Sequence, residues 1–230
     1  MRLFSKLNST LNKLEAIINT EKAQNQLNSG LSHFFTLVRN NFRCGALENI
    51  YRAYQSCSNK SIIVLLDGDD WLARSDVLSE LNKVYSTEDI WYTHGTMKEY
   101  IYHSLSDSTW RSIPLSPDVI ANHSFRSNYC PSHLRTIYTW LLKKIVLEDL
   151  LFNGEFFPAT GDKAIMFPVA EMGGNRHSFI SNPSYIYNVT TQINDHKVKA
   201  DFQIYLDHYI RELPCYPLLK YAPRFLYEEN

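Results

Sequence analysis

The segment Leu66-Asp67-Gly68-Asp69-Asp70-Trp71 sets three carboxylates within four residues, directly behind the aliphatic run Ile62-Ile63-Val64-Leu65-Leu66. Carboxylates that close repel one another unless a cation or a set of donors lies between them. Hard divalent ions take oxygen ligands, and Mg²⁺ or Mn²⁺ commonly bridges protein carboxylates to substrate phosphates. Gly68 lets the backbone come close to such a ligand. The plainer alternative is an acidic turn in which Asp69 or Asp70 caps the next helix. The strand in front favours a metal and diphosphate site, because ligands of open α/β sheets bind beyond the carboxyl ends of strands. A further carboxylate, Asp162, stands where Pro158-Ala159-Thr160-Gly161 opens a helix. Taken alone it reads as a helix-capping carboxylate.

The elements that must position these groups follow from periodicity. The continuous run at 62–66, bounded by turn residues, reads as a central strand buried on both faces. Leu47, Ile50, Tyr51 and Tyr54 repeat at helical spacing before it, and Val77, Leu78, Leu81, Val84 and Tyr85 do so after it. Strand alternating with helix predicts an α/β fold, a mostly parallel central sheet flanked by helices. Further strands are expected at 33–38, 90–93, 100–103, 179–180 and 185–189. Residues 104–131 are rich in Ser, Pro, Asn and Asp, and such a long irregular stretch reads as a functional loop. A helix from Gly161 should end at Gly173-Gly174, with Pro168 kinking it or marking its first turn. Phe202, Leu206, Tyr209, Ile210 and Leu213 form a last amphipathic helix. Leu3, Phe4, Leu7, Leu11, Leu14 and Ile18 share another helical face beside Arg2, Lys6 and Lys13. That helix either packs on the sheet or makes a peripheral membrane contact.

Composition narrows the class. Of 230 residues, 44% are hydrophobic and 20% charged, which suits a globular chain and excludes a fibrous or wholly disordered one. Lys and Arg number 23 against 24 Asp and Glu, so no basic excess draws the molecule to nucleic acid. Cys44, Cys57, Cys130 and Cys215 form no Cys-x-x-Cys pair, which argues against a zinc ribbon or disulfide framework and makes the cytoplasm the default compartment. The run at 62–66 is far too short to span a bilayer. No repeat and no low-complexity linker interrupts the chain, so a single domain is expected.

Two families place Asp-x-Asp after a hydrophobic strand. Haloacid-dehalogenase-like phosphotransferases usually carry Thr or Val where this chain has Trp71, and their downstream Ser/Thr and Lys motif is missing here. The stretch Asn41-Phe42-Arg43-Cys44-Gly45-Ala46-Leu47-Glu48-Asn49, followed by IIVLLDGDDWL at 62–72, resembles family 2 glycosyltransferases of the GT-A fold. The resemblance continues through Pro158-Ala159-Thr160-Gly161-Asp162 and a strand pair at 179–187.

The resemblance implies a GT-A-like domain over 1–230, with 1–72 as the nucleotide and metal half and 73–230 as the acceptor half and C-terminal helix. It implies transfer of a sugar from a nucleotide-diphosphate sugar, a UDP-sugar first, to a hydroxyl of a polysaccharide or glycolipid, inverting and dependent on Mn²⁺ or Mg²⁺. Asp67 and Asp69 would form the Asp-x-Asp metal pair, and Asp70 would lie beside the donor sugar or orient the loop. In Asn194-Asp195-His196-Lys197, His196 would complete the metal shell and Lys197 would grip the diphosphate. Asp162 would be the general base. His133, Arg135 and Trp140 fall on the acceptor side; Arg135 would hold an anionic group, and Trp140 would either stack on a sugar or pack in the core. The family's first two strands, ending in a Thr-Tyr-Asn-like turn and in Asp-Asp-x-Ser, are not found, so the chain reads as N-terminally truncated by roughly fifty residues, the size of a βαβ unit and its turns. That leaves an open sheet edge for a partner chain. It also leaves a second reading, a catalytically weak binding or scaffold subunit.

Overall fold

Leu47 and Tyr54 lie two helical turns apart, and helix α1 (Ala46–Ser56) buries both. The computed structural model describes residues 38–87, 89–106, 113–128, 131–190 and 200–226, and divides into two compact units, 1–43 and 44–230. Every regular element described lies in the second unit. The expected helix at 1–18 lies outside the described residues, as does nearly all of the expected strand at 33–38.

Strands β1 (Ile62–Leu65), β2 (Trp71–Leu72), β3 (Tyr92–Ile101), β4 (Ser104–Ser106) and β5 (Arg135–Tyr138) alternate with α2 (Val77–Thr87) and α3 (Pro117–Ala121). After β5 come α4 (Thr139–Leu142), the hairpin β6 (Leu151–Phe152) and β7 (Glu155–Phe156), α5 (Gly161–Gly173), β8 (His177–Asn188) and α6 (Ala200–Glu212). The main sheet has the order β1-β5-β3-β8-β2, with β4 added to β3. Only the β3–β8 pairing is parallel; β1–β5, β3–β5, β2–β8 and β3–β4 are antiparallel. The sheet is therefore mixed and mostly antiparallel, which corrects the mostly parallel expectation. The cause is β5, a four-residue strand too short to carry a readable period, which inserts antiparallel between β1 and β3.

β1 also departs from expectation. Among the described residues it pairs with β5 alone and is half-buried along its length, so it is an edge strand in this sheet. Its aliphatic run comes from packing both faces partway, Ile63 and Leu65 toward the larger core and Val64 toward the smaller. The strands expected at 90–93 and 100–103 are one strand, β3. It turns into β4 through Tyr102 and His103, both at positive φ (44° and 72°), without the Asn-Gly pair that announces such a hairpin. The two strands expected around Pro183 are likewise one strand, β8. A bulge between its pairings at Ile180 and Tyr185 takes up the proline, which has no N–H to give to a ladder. Residues 104–131 hold β4, α3 and a 3₁₀ turn at Phe125–Ser127 among their described positions.

Helix α5 runs through Pro168, and from Ala164 to Gly173 every residue is buried. Apolar on every side apart from Glu171, this stretch fills the larger core with Trp91, Tyr92, Ile137, Trp140, Leu206 and Ile210. A smaller cluster of Val77, Leu81, Met97, Leu134, Ile180 and Tyr185 lies under α2. Glu171, fully buried on α5, is held by Arg126 through Nε (2.6 Å) and Nη2 (3.0 Å) and by the Tyr216 amide (2.9 Å). Arg126 Nη1 reaches the Ile210 carbonyl at 2.5 Å, so one ion pair ties α5, α6 and the C-terminal segment together. No helix among the described residues is long and apolar enough to cross a membrane.

His94 on β3 is fully buried, stacked on His177 (5.5 Å) and tilted against Phe179 (5.1 Å), with neither ring nitrogen hydrogen-bonded among the described residues. Burial, with the charges of His177 and Arg135 behind it, pushes its pKa down from 6.5 to about 3. The unfolded chain then binds the extra proton, so stability is full above pH 6.5 and is lost as pH falls toward 3. In urea titrations, His94→Phe should stay within about 1 kcal/mol of the native chain at pH 7 and lose less stability between pH 6.5 and 4. Equal losses in both proteins would refute this account.

Candidate active site

The chain leaves β1 at one edge of the sheet and re-enters at the other as β2, beside β8. The crossing segment is the acidic one. Gly68 and Asp69 occupy the corner of a turn closed by the Asp70 amide donating to the Asp67 carbonyl at 3.1 Å. Asp70 then anchors to β8. Its Oδ2 accepts from the Tyr185 hydroxyl at 2.5 Å and its Oδ1 from the Asn188 amide at 2.7 Å. The same hydroxyl accepts from the Asp67 amide at 3.3 Å. Trp71 next pairs with Ile186 in the ladder and meets Tyr100 edge-on at 5.2 Å.

The electrostatics follow from this crowding. Burial raises the Asp70 pKa to about 6; the bonds from Asn188 and Tyr185 pull it back, and the charges of Asp69 and Asp67 add to the rise. Asp67 is pushed the same way, first by partial burial, against the pull of Arg135 and with Asp69 and Asp162 adding to the push. With 57% of its side chain exposed, Asp67 feels this through solvent that damps it. Tyr185, fully buried between these carboxylates, has its hydroxyl pKa driven well above the usual range, so it stays a donor.

Asp162 arrives from the opposite side, in the first turn of α5. Thr160 before that helix adopts a left-handed conformation at φ 58°, unusual for a β-branched residue and the kind of strain that gathers at functional sites. Gly161 stands at a close approach, since a Cβ there would lie 3.0 Å from the Cβ of Leu47 on α1. Arg135, at the start of β5, joins the two sides. Its Nη2 donates to Asp162 Oδ2 at 2.9 Å, its Nη1 to His133 Nε2 at 2.9 Å and its Nε to the Pro131 carbonyl at 2.9 Å. His133 stacks on Tyr185 at 4.5 Å, with its Nε2 3.9 Å from Asp67 Oδ2.

Asp67, Asp69, Asp70, His133, Arg135 and Asp162 thus come together at one end of the sheet. Trp140 does not join them. It is 3% exposed in the larger core, edge-on to Trp91 at 4.9 Å, which corrects its placement on the acceptor side: β5 ends at Tyr138 and the chain turns inward. His196 and Lys197 lie outside the described residues. Tyr185 was not foreseen, since a tyrosine inside an alternating strand carries no sign of its partners; only its closeness to the Pro183 bulge distinguishes it. The donor set suits Mg²⁺ or Mn²⁺: Asp67 and Asp69 offer hard oxygens, and such ions are usually held by one or two carboxylates plus substrate phosphates. Among the described residues no group of three or more His, Cys, Asp or Glu is placed to hold a metal ion.

No protein-family model matches the chain, and no curated protein matches it. Among solved structures it is similar to S. aureus TarS, residues 1–349, with 15% identity and a TM-score of 0.50, over 71% of this chain and 47% of that one. A structure of the same TarS segment in complex with UDP-GlcNAc matches at 15% identity and a TM-score of 0.43, over 79% of this chain and 50% of that one. The chain spans about half the length of these structures. The first likeness shows a shared fold.

Removing the Tyr185 hydroxyl leaves a crowded carboxylate short of a donor. Tyr185→Phe should lower unfolding free energy by about 1–3 kcal/mol in urea titrations, as for other hydrogen bonds to charged groups. It should also raise the Asp70 pKa above its present value of about 6 in ¹³C carboxyl NMR titration.

Proposed function

We propose that this chain transfers a sugar from a nucleotide-diphosphate sugar, a UDP-sugar first, to a hydroxyl of a saccharide or lipid-linked acceptor. The observation that carries the reading is the convergence of the Asp67–Asp70 turn and Asp162, brought together by Arg135 and His133, in a fold of glycosyltransferase type. Neither carboxylate group alone would suggest a transfer reaction. Together they offer an acid–base group beside a turn of carboxylates suited to a divalent cation.

In this reading Asp162 accepts the proton of the acceptor hydroxyl. The freed oxygen attacks the anomeric carbon from the face opposite the diphosphate. The bond to the diphosphate oxygen breaks as the new one forms, so the configuration inverts. Asp162 keeps 39% of its side chain exposed, enough for an acceptor to reach it from solvent. Asp67 and Asp69 would hold Mn²⁺ or Mg²⁺, which when bound supplies positive charge for the departing diphosphate. Asp70, already committed to Tyr185 and Asn188, anchors to β8 the turn that carries Asp67 and Asp69.

Calorimetric titration of UDP with and without Mn²⁺ tests the donor side. Binding should depend on the metal and vanish in Asp69→Asn. Asp162→Ala should slow transfer by about 10²–10⁴-fold, the usual worth of a general base, while leaving UDP affinity nearly unchanged. No UDP binding in either condition, or equal loss of binding and transfer in Asp162→Ala, would overturn the respective assignment.

A further inference from the structure

Among the described residues, Arg135 is the cation set between the proposed base and the acidic turn. Its side chain is 9% exposed, too buried to sweep the surface for ligands. Its planar fork is fixed from three directions by the Pro131 carbonyl, His133 Nε2 and Asp162 Oδ2, each at 2.9 Å. Because a guanidinium only donates, Nε2 of His133 must accept, which assigns the imidazole proton to Nδ1. The ring so oriented lies flat on Tyr185 (22° between planes), whose hydroxyl holds Asp70. A continuous chain of contacts therefore runs Asp162, Arg135, His133, Tyr185, Asp70.

We propose that Arg135, braced by His133, is the positioning residue of Asp162, fixing that carboxylate at a set height against the acidic turn. The proposal rests on the transferase reading above and gives Arg135 a different part from the acceptor-anion contact suggested by sequence. Proton abstraction demands a carboxylate oriented to a few tenths of an ångström, and a misplacement of about 1 Å can cost about 10²-fold in rate. An arginine serves here where a lysine would not, because only a planar fork meets three acceptors from one rigid group. The Pro131 carbonyl and His133 set the plane of the fork, and the plane sets the direction in which Nη2 meets Asp162.

The test is steady-state kinetics on the full chain with Arg135→Gln and Arg135→Lys. Arg135→Gln should lower kcat by about 10²-fold with donor KM and UDP affinity within about twofold, and added guanidinium ion should restore part of the loss. Arg135→Lys keeps the charge without the fork and should fall between the two, which keeps the test valid if the glutamine variant folds poorly. Unchanged kcat in either variant would overturn the proposal. So would donor affinity falling in step with kcat, because Arg135 would then be gripping the diphosphate. If the native chain transfers no sugar, the transferase reading itself fails and positioning is read by NMR instead. The Asp162 carboxyl ¹³C signal, identified by its loss in Asp162→Asn, should move in Arg135→Gln and return with guanidinium. An Asp162 signal indifferent to both would overturn the positioning role without reference to turnover.

Discussion

Three carboxylates in four residues form a turn that its own charges push apart, and the hydrogen bonds from β8 to Asp70 are what hold it. The Tyr185 hydroxyl and the Asn188 amide take both oxygens of Asp70, at 2.5 and 2.7 Å. Charge-assisted bonds of this kind are about twice as strong as neutral ones. Much else depends on them. They dock β2 against β8, fix where Asp67 and Asp69 emerge, and keep Tyr185 in the position on which His133 stacks. A hydroxyl whose pKa is driven upward by burial cannot ionise near neutrality, so the donor is permanent.

The charge balance around these carboxylates explains why such anchoring is needed. Among the described residues, Asp67, Asp69, Asp70 and Asp162 lie near the Arg135 guanidinium and an imidazole whose Nε2 already accepts a bond. The local surplus is negative although the chain as a whole is close to neutral. Such a surplus costs stability, which is the form in which functional sites often store strain. It is also the field that a divalent cation carrying a diphosphate would neutralise.

On the far side of α5 the problem is reversed, with a buried carboxylate that must be matched completely. Glu171 has no exposed surface, and Arg126 with the Tyr216 amide satisfies it. Buried ion pairs contribute little net stability, but breaking one by removing a partner is costly. Their value here is positional. The pair fixes α5 along its axis against α6 and the C-terminal segment, and this sets the height of Asp162 in the first turn of the same helix. The left-handed Thr160 and the Gly161–Leu47 approach then leave the first turn little room to shift.

The sequence by itself determined the chemistry-bearing ends of the elements. An aliphatic run stopping at Leu66 must end where the carboxylates begin, and an apolar segment opened by Gly161 and closed by Gly174 must be a helix with Asp162 in its first turn. These are local facts, carried by composition and period. Tertiary structure decided the partnerships. β5 is four residues long and shows no period, so its antiparallel insertion could not be read along the chain, and Trp140 could be read either as a sugar platform or as core. Arg135 stands out in sequence only as a cation, and Tyr185 only as a strand residue, until the sheet order brings them beside Asp162 and Asp70. The physical reason is that hydrogen bonds and ion pairs between distant segments leave no periodic trace in sequence, whereas the burial of a helix face or a strand does.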